Sequence, residues 1–303
     1  MSNSFDSRYP AVADLRQRAM QKIPPFAFEY LDGGCNENVN VEKNTHELQQ
    51  VELKPYYLSG NGESQLETEL FGQRYSAPFG VSPIGLQGLV WPKAPEILAK
   101  AAANNNIPFI LSTVSTASIE TISEITAGKL WFQLYHPLEE SLRDDILRRC
   151  EAAGVEVLVL LCDVPTFGYR AADIRNGLAM PPKMSLANVA QISTRPEWAL
   201  KTLLNGSPSF ETLKPYMHSH MDMRQLATFM DNTFDGRLDS QKVAAIRDKW
   251  KGKLVLKGVA TESDVAQAIQ LGIDGVIVSN HGGRQLDAGQ SSIVALDPIV
   301  KKY

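Results

Sequence analysis

From about residue 77 onward, short apolar runs alternate with amphipathic stretches, and this alternation restricts the fold more than any other property of the chain. "APFGVSP" precedes "PEILAKAAANNN", "IPFILST" precedes "ASIETISEIT", and "KLWFQLY" precedes "LEESLRDDILRRCEAAG". "VEVLVLLCDVP" follows, and after a long interruption come "KLVLKG", "TESDVAQAIQLG", "DGVIVSN" and "SSIVALDPIVKK". Apolar runs of this length are strands covered on both faces, and the segments between them carry apolar residues at helical spacing. The pattern predicts an α/β protein with a parallel sheet wrapped by helices. Residues 1–68 read instead as a helical extension, through "AVADLRQRAMQKI", "PFAFEYLDGG" and "VEKNTHELQQ".

Two architectures satisfy the alternation, an open doubly wound sheet and a closed (β/α)8 TIM barrel. Ser112, Gln133 with Tyr135, Asp163, Lys257 and His281 fall at or near the C-terminal ends of five different strands or runs. In a barrel those ends converge on one mouth, which favours the barrel. Six strand–helix units are visible before Tyr303, where a complete barrel has eight. The expectation is therefore a single TIM-type barrel domain over residues 1–303, truncated after the sixth unit. The interruption at 181–239 is too long for an ordinary connection, so it is a lid over the mouth or a surface excursion. It contains helical patterns in "EWALKTLL" and "MRQLATFM", and a pair of histidines, His218 and His220, that reads as solvated loop rather than as metal ligands.

Bulk properties exclude several functions. A net charge of -4 argues against general nucleic-acid binding. Cys35, Cys150 and Cys162 have no C-x-x-C spacing and cannot all pair, as expected of reduced thiols in a cytoplasmic protein without a structural metal. The polar N-terminus lacks the apolar core of a signal peptide, and no apolar run reaches membrane-spanning length. A peripheral membrane contact through a loop stays open. "SGNGES" has two glycines of a dinucleotide fingerprint without the third and without a strand–helix context, so it reads as a turn.

The residues with chemistry gather around "VSNHGGRQLD", where a histidine and an arginine flank two glycines just after an apolar strand. His281 is a candidate general base. Asp163, following "VLVLL", would orient and stabilise its cationic form or, more plainly, cap a turn. Arg284 offers a planar fork for a carboxylate or phosphate. Lys257 requires an anion at the mouth, either a ligand or a neighbouring strand's carboxylate. Gln133 and Tyr135 alternate in "WFQLY" and so share one side, where a glutamine needs a polar partner.

With these residues the chain resembles the FMN-dependent 2-hydroxy-acid oxidases and dehydrogenases, from about residue 26 almost to the C-terminus and more weakly at 181–252. "SNHGGRQLD" is highly specific, and "WFQLY", "CDVPTFGYRAADIRNG", "LVLKGVATESDVAQAIQLG" and "LSTVSTASIE" stand in the family's order. The resemblance implies oxidation of a lactate-like L-2-hydroxy acid to the 2-oxo acid, with FMN as cofactor and oxygen, a quinone or a cytochrome as acceptor. It assigns His281 as base, Asp163 as its stabiliser and Tyr135 as hydrogen-bond partner of the substrate hydroxyl. Tyr30 and Arg284 would hold the substrate carboxylate, with Arg170 nearby. Pro83, Ile84, Gly85, Ser112, Gln133 and Lys257 would hold the flavin, and a homo-oligomer is implied. Two departures stand out: Leu161 replaces a threonine that bonds the flavin, and Val114 replaces an aromatic residue near the pocket. The family's FMN-phosphate segments would lie beyond Tyr303. The competing expectations are a truncated barrel or assembly component that does not retain FMN, and another FMN barrel enzyme such as an isomerase.

Overall fold

A computed structural model describes residues 7–58, 60, 62, 64–166, 168–178, 184–217, 229, 233–234 and 237–303. Three helices open it, α1 (Val12–Lys22), α2 (Pro25–Asp32) and α3 (Val39–Gln49). Pro25 supplies the preset φ of a first helical residue. A two-stranded antiparallel hairpin, β1 (Thr68–Leu70) and β2 (Gln73–Tyr75), follows and turns at Phe71 and Gly72, both at positive φ. The helical reading of residues 1–68 therefore holds for its three helices, while the hairpin lacks the alternation that would have shown it.

The alternating region then runs α4 (Gln87–Val90), α5 (Ala94–Asn104), β3 (Ile110–Ser112), α6 (Ile119–Thr126), β4 (Trp131–Leu134), α7 (Glu140–Ala152) and β5 (Val157–Leu161). After three further helices, α8 (Ala171–Arg175), α9 (Leu186–Ser193) and α10 (Pro196–Asn205), it resumes. The last elements are α11 (Ser240–Lys249), β6 (Lys253–Val259), α12 (Glu262–Gln270), β7 (Gly275–Val278) and α13 (Ser292–Lys302). Side chains cap three of the helices that follow strands: Ser118, Thr261 and Ser291 each accept a hydrogen bond from a first-turn N–H.

β3 to β7 form one parallel sheet whose spatial order equals the chain order. A doubly wound sheet reverses its order at a switch point; this one does not. It also does not close on itself among the described residues, where β3 and β7 are its edges. The expected first strand, "APFGVSP", contributes a single bridge, Val81 to Phe109, rather than a sixth strand. The bridge uses Val81 N to the Pro108 carbonyl and Ile110 N to the Val81 carbonyl. The next donors on either side would be Pro83 and Pro108, which have no N–H, so a ladder cannot extend in either direction from Val81.

The two faces of the sheet differ. Leu111, Phe132, Leu134, Leu158, Leu160, Leu254 and Leu256 pack against the helices through Ile119, Ile122, Ile146, Val243, Ile246 and Val265. On the other face Ile110, Trp131, Val157, Val159 and Val255 form a second apolar cluster, and the hairpin's Phe71 packs on Trp131 with centroids 5.6 Å apart. Side chains two residues apart share a face. Moving toward the strand C-termini, this same face thus changes from Ile110, Trp131 and Val255 to Ser112, Gln133 and Lys257. An apolar floor therefore carries a polar rim.

The described part of the interruption includes a buttress. Trp198 is buried against Phe26 in an edge-to-face contact, and its indole N–H reaches the carbonyl oxygens of Leu89 and Val90. Near the far end of the interruption the Phe234 ring packs at a tilt against Tyr135 with centroids 5.8 Å apart. "EWALKTLL" falls within α10; His218, His220 and nearly all of "MRQLATFM" lie outside the described residues.

Candidate active site

The rim is built where β5, β6 and β7 end. β5 delivers Asp163 two residues past its last member, and β7 delivers Ser279, Asn280 and His281 in the same way. His281 adopts a left-handed conformation (φ 59°), and Gly282 and Gly283 follow it at φ 67° and 73°. Three such residues in a row reverse the chain sharply, and two glycines carry most of that cost. The turn directs the imidazole to Asp163: Nδ1 lies 3.0 Å from Oδ1, with the side chains 22% and 10% exposed. With Nδ1–H donating to the carboxylate, Nε2 is left as the proton acceptor.

Asp163 fits because β6 is irregular beside it. The register shifts between Lys257 and Val259, and Gly258 sits at φ +99°. A Cβ on Gly258 would lie 2.4 Å from Asp163 Cβ and Cγ. Bulges of this kind occur next to functional sites, and this one lies just after Lys257, whose side chain faces Asp163. Its ammonium lies 3.9 Å from Asp163 Oδ2 and 3.2 Å from Ser279 Oγ. Burial pushes the Lys257 pKa down while the charge of Asp163 opposes the fall. Of the two expectations for Lys257, the ion pair with a neighbouring strand's carboxylate is the one seen, and that carboxylate also faces the histidine.

On the other side of His281, Arg284 donates from Nη2 to the carbonyl oxygens of Tyr30 (2.7 Å) and Leu31 (2.5 Å). Its guanidinium sits 5.6 Å from the centre of the Tyr30 ring, and that of Arg170 sits 5.5 Å from the same ring. Arg170 is paired with the buried Asp173, Nε to Oδ2 at 3.2 Å. Among the described residues Arg284 has only carbonyl and ring partners, and its pKa is lowered by burial and then by the nearby charge of Arg170. Two guanidiniums matched by one carboxylate leave a positive charge that suits an anionic ligand. Tyr30 reaches across to Gly85, donating to its carbonyl oxygen at 3.2 Å.

Tyr135 lies one residue beyond β4, not within it, so shared strand alternation with Gln133 does not place it. Burial raises the pKa of its hydroxyl, and the charges of Asp163, Arg170 and Arg284 also act on it. It is therefore a proton-bearing phenol facing the same region.

A second group of residues has an unmet requirement. Ser112 and Gln133 are buried, and Ser112 Oγ donates to Gln133 Oε1 at 3.0 Å. That bond fixes the amide orientation and leaves Gln133 Nε2 buried without a hydrogen-bond acceptor. An orphaned buried donor costs about 1–3 kcal/mol, which a ligand carbonyl or ring nitrogen would relieve. Pro83 and Ile84 are half-buried beside Gly85. A Cβ on Gly85 would lie 2.8 Å from Val114 Cγ2, so the backbone there runs close and bare. An oriented amide donor, a buried cation and an uncluttered backbone fit the polar edge and the face of an isoalloxazine ring. Leu161, by contrast, is buried and apolar at the position where the resemblance lacks one hydrogen bond.

The structure thus gathers His281, Asp163 and Lys257 in one cluster and Arg284, Arg170 and Tyr30 in another, with Tyr135 sensing charges of both. Ser112 and Gln133 form a third group on the same face of the sheet, and residues 83–85 join through Tyr30. Sequence reasoning missed Ser279, whose Oγ also accepts from His281 N at 3.0 Å. It missed Gly258, Asp173 and Asn280 as well. Asp173 stands three residues after Arg170, a spacing that could have suggested the pair; Gly258 gives no local signal.

The profile of the FMN-dependent dehydrogenase family matches residues 19–303. The L-lactate dehydrogenase of Pseudomonas syringae pv. syringae is 36% identical over 292 residues, 96% of this chain and 77% of the relative. That of Vibrio cholerae serotype O1 is 36% identical over 290 residues, 95% of this chain and 76% of the relative. Among solved structures, the monotopic membrane protein (S)-mandelate dehydrogenase superposes with a TM-score of 0.90 at 34% identity, covering 96% of this chain and 77% of that one. A mandelate oxidase with (S)-4-hydroxymandelic acid gives 0.79 at 31% identity, covering 97% and 76%. A profile match over residues 19–303, with relatives 36% identical along nearly the whole chain, means that the chain belongs to the FMN-dependent dehydrogenase family.

Proposed function

We propose that this chain oxidises a small L-2-hydroxy acid, lactate-like, to the corresponding 2-oxo acid. The observation that carries the reading is the His281–Asp163 pair standing beside an arginine that carries no matching carboxylate of its own. In this reading Arg284 and Tyr30 grip the substrate carboxylate, with the Arg170–Asp173 pair holding the other face of the Tyr30 ring. His281 Nε2 takes the hydroxyl proton, and Asp163 stabilises the resulting imidazolium through Nδ1. Tyr135, kept protonated by burial, donates a hydrogen bond to the substrate oxygen. Ser112, Gln133, Lys257 and the backbone of residues 83–85 would hold FMN, which when bound would supply the acceptor for the α-carbon's hydrogen together with the two electrons.

The in-order parallel sheet supports reading β3 to β7 as an arc of a (β/α)8 barrel, with the rim residues at its mouth. No helix among the described residues is long and apolar enough to cross a membrane. A cytoplasmic protein with a peripheral membrane contact is part of the same reading, supported by the likeness to a monotopic membrane protein. Assembly into a homo-oligomer completes it.

Anaerobic titration of the FMN-loaded protein with L-lactate, glycolate and mandelate tests the function. Bleaching of the flavin absorbance by at least one of them is expected. A flavin that stays oxidised with all three, while still bound, refutes the reading.

A further inference from the structure

The three left-handed residues that aim His281 need something to hold them, and the hydrogen bonds around Asn280 identify it. Asn280 Nδ2 lies 2.8 Å from Asn40 Oδ1, 2.7 Å from Asn44 Oδ1 and 3.0 Å from the carbonyl oxygen of Gln290. Its Oδ1 accepts from Gly283 N at 3.2 Å and from Asn44 Nδ2 at 3.1 Å. One side chain therefore spans the turn internally and ties it to α3, more than two hundred residues earlier in the chain. Asn40 is fully buried, with its backbone N–H on Asp287 Oδ1 at 3.0 Å and its Nδ2 on the Leu286 carbonyl at 2.8 Å. Glycines let the two segments meet: a Cβ on Gly283 would lie 2.8 Å from Val41 N, and one on Gly34 would lie 2.7 Å from the Gly283 carbonyl oxygen.

We propose that Asn280, with Asn40 and Asn44 on α3, is a positioning residue that holds the His281 turn in its left-handed form and so sets the imidazole on Asp163. Its catalytic part rests on the function proposed above. The network acts on His281 more than on Arg284. Arg284 has its own anchors at Tyr30 and Leu31, and its neighbour Gln285 bonds the Thr166 carbonyl at 2.9 Å and Gly168 N at 3.2 Å. Loosening the amide cluster should thus move the base and leave the carboxylate fork in place, a split between kcat and KM.

The test compares the wild-type chain with Asn280→Ala and with the milder Asn44→Ala, whose site is only half-buried. In FMN-loaded protein, kcat with the preferred hydroxy acid should fall about tenfold to a hundredfold for Asn280→Ala, as misplacement of a reacting group on the ångström scale does. KM should change less than about threefold. Asn44→Ala should lose less, and the double variant no more than Asn280→Ala alone, because the amides act as one unit. Hydrogen exchange of the Gly283 amide in FMN-free protein should rise in both variants while exchange in β4 and β5 stays unchanged.

An unchanged kcat in Asn280→Ala overturns the proposal, as does an equal loss in kcat and KM accompanied by faster exchange throughout the sheet. If the wild-type protein itself oxidises no hydroxy acid, the proposed function fails. The exchange measurement then still decides whether Asn280 holds the turn: unaltered Gly283 exchange refutes it.

Discussion

Replacing Asp163 by asparagine removes one charge and keeps the shape, so the consequences can be worked from two distances. The carboxylate faces His281 Nδ1 at 3.0 Å and the Lys257 ammonium at 3.9 Å. At an effective dielectric of ~20, unit charges at these separations attract by about 5 and 4 kcal/mol respectively. The first attraction exists only while the imidazole carries the proton it has accepted, so its loss falls on the barrier. The asparagine dipole and local water recover part of it. A net cost of about 2–4 kcal/mol corresponds to a fall in kcat of ~30-fold to 1,000-fold. The second attraction keeps a buried ammonium charged, and burial already lowers the Lys257 pKa. Without Asp163 that pKa falls further, so Lys257 loses its proton at a lower pH and activity should decline earlier as pH rises. Anaerobic stopped-flow reduction of the flavin, followed across pH, reads both effects. A loss smaller than threefold, with the same alkaline limb as wild type, would refute the assignment of Asp163 to both partners.

Arg284→Lys should raise KM for the hydroxy acid by ~10-fold to 100-fold, because an ammonium cannot grip a carboxylate bidentately while bonding two carbonyl oxygens; steady-state kinetics showing an unaltered KM would remove Arg284 from the substrate site. Gly258→Ala places a methyl group 2.4 Å from Asp163 at φ +99°, so a loss of about 3 kcal/mol in urea unfolding is expected, together with loss of activity. The Glu120 carboxylate is held below its usual pKa first by hydrogen bonds from Arg149, at 2.8 and 3.0 Å. Its stabilising effect is therefore complete above the ordinary value of 4.5 and lost as pH falls through the lowered one. Because the carboxylate is half exposed, Glu120→Gln should cost no more than about 1 kcal/mol at neutral pH, and thermal melts of variant and wild type should converge in acid.

The periodicity of the chain was sufficient to specify parallel strands wrapped by helices, and the three N-terminal helices, because burial on one face or two is written directly into apolar spacing. The motif around His281 was sufficient to point to the family, and it suggested the roles proposed for the conspicuous side chains. Leu111 and Val159 declare a buried face by their own chemistry. Phe71, Gly258 and Asn280 do not, because their roles depend on atoms that the chain brings near from far away in sequence. Whether "APFGVSP" would pair fully was decided by two prolines that cannot donate. That Lys257 meets the Asp163 carboxylate depends on β5 and β6 lying side by side, which no local pattern announces. The residues with chemistry were thus legible one by one, but their mutual distances were set by the sheet, because only close packing across distant segments can fix an imidazole at 3.0 Å from a carboxylate.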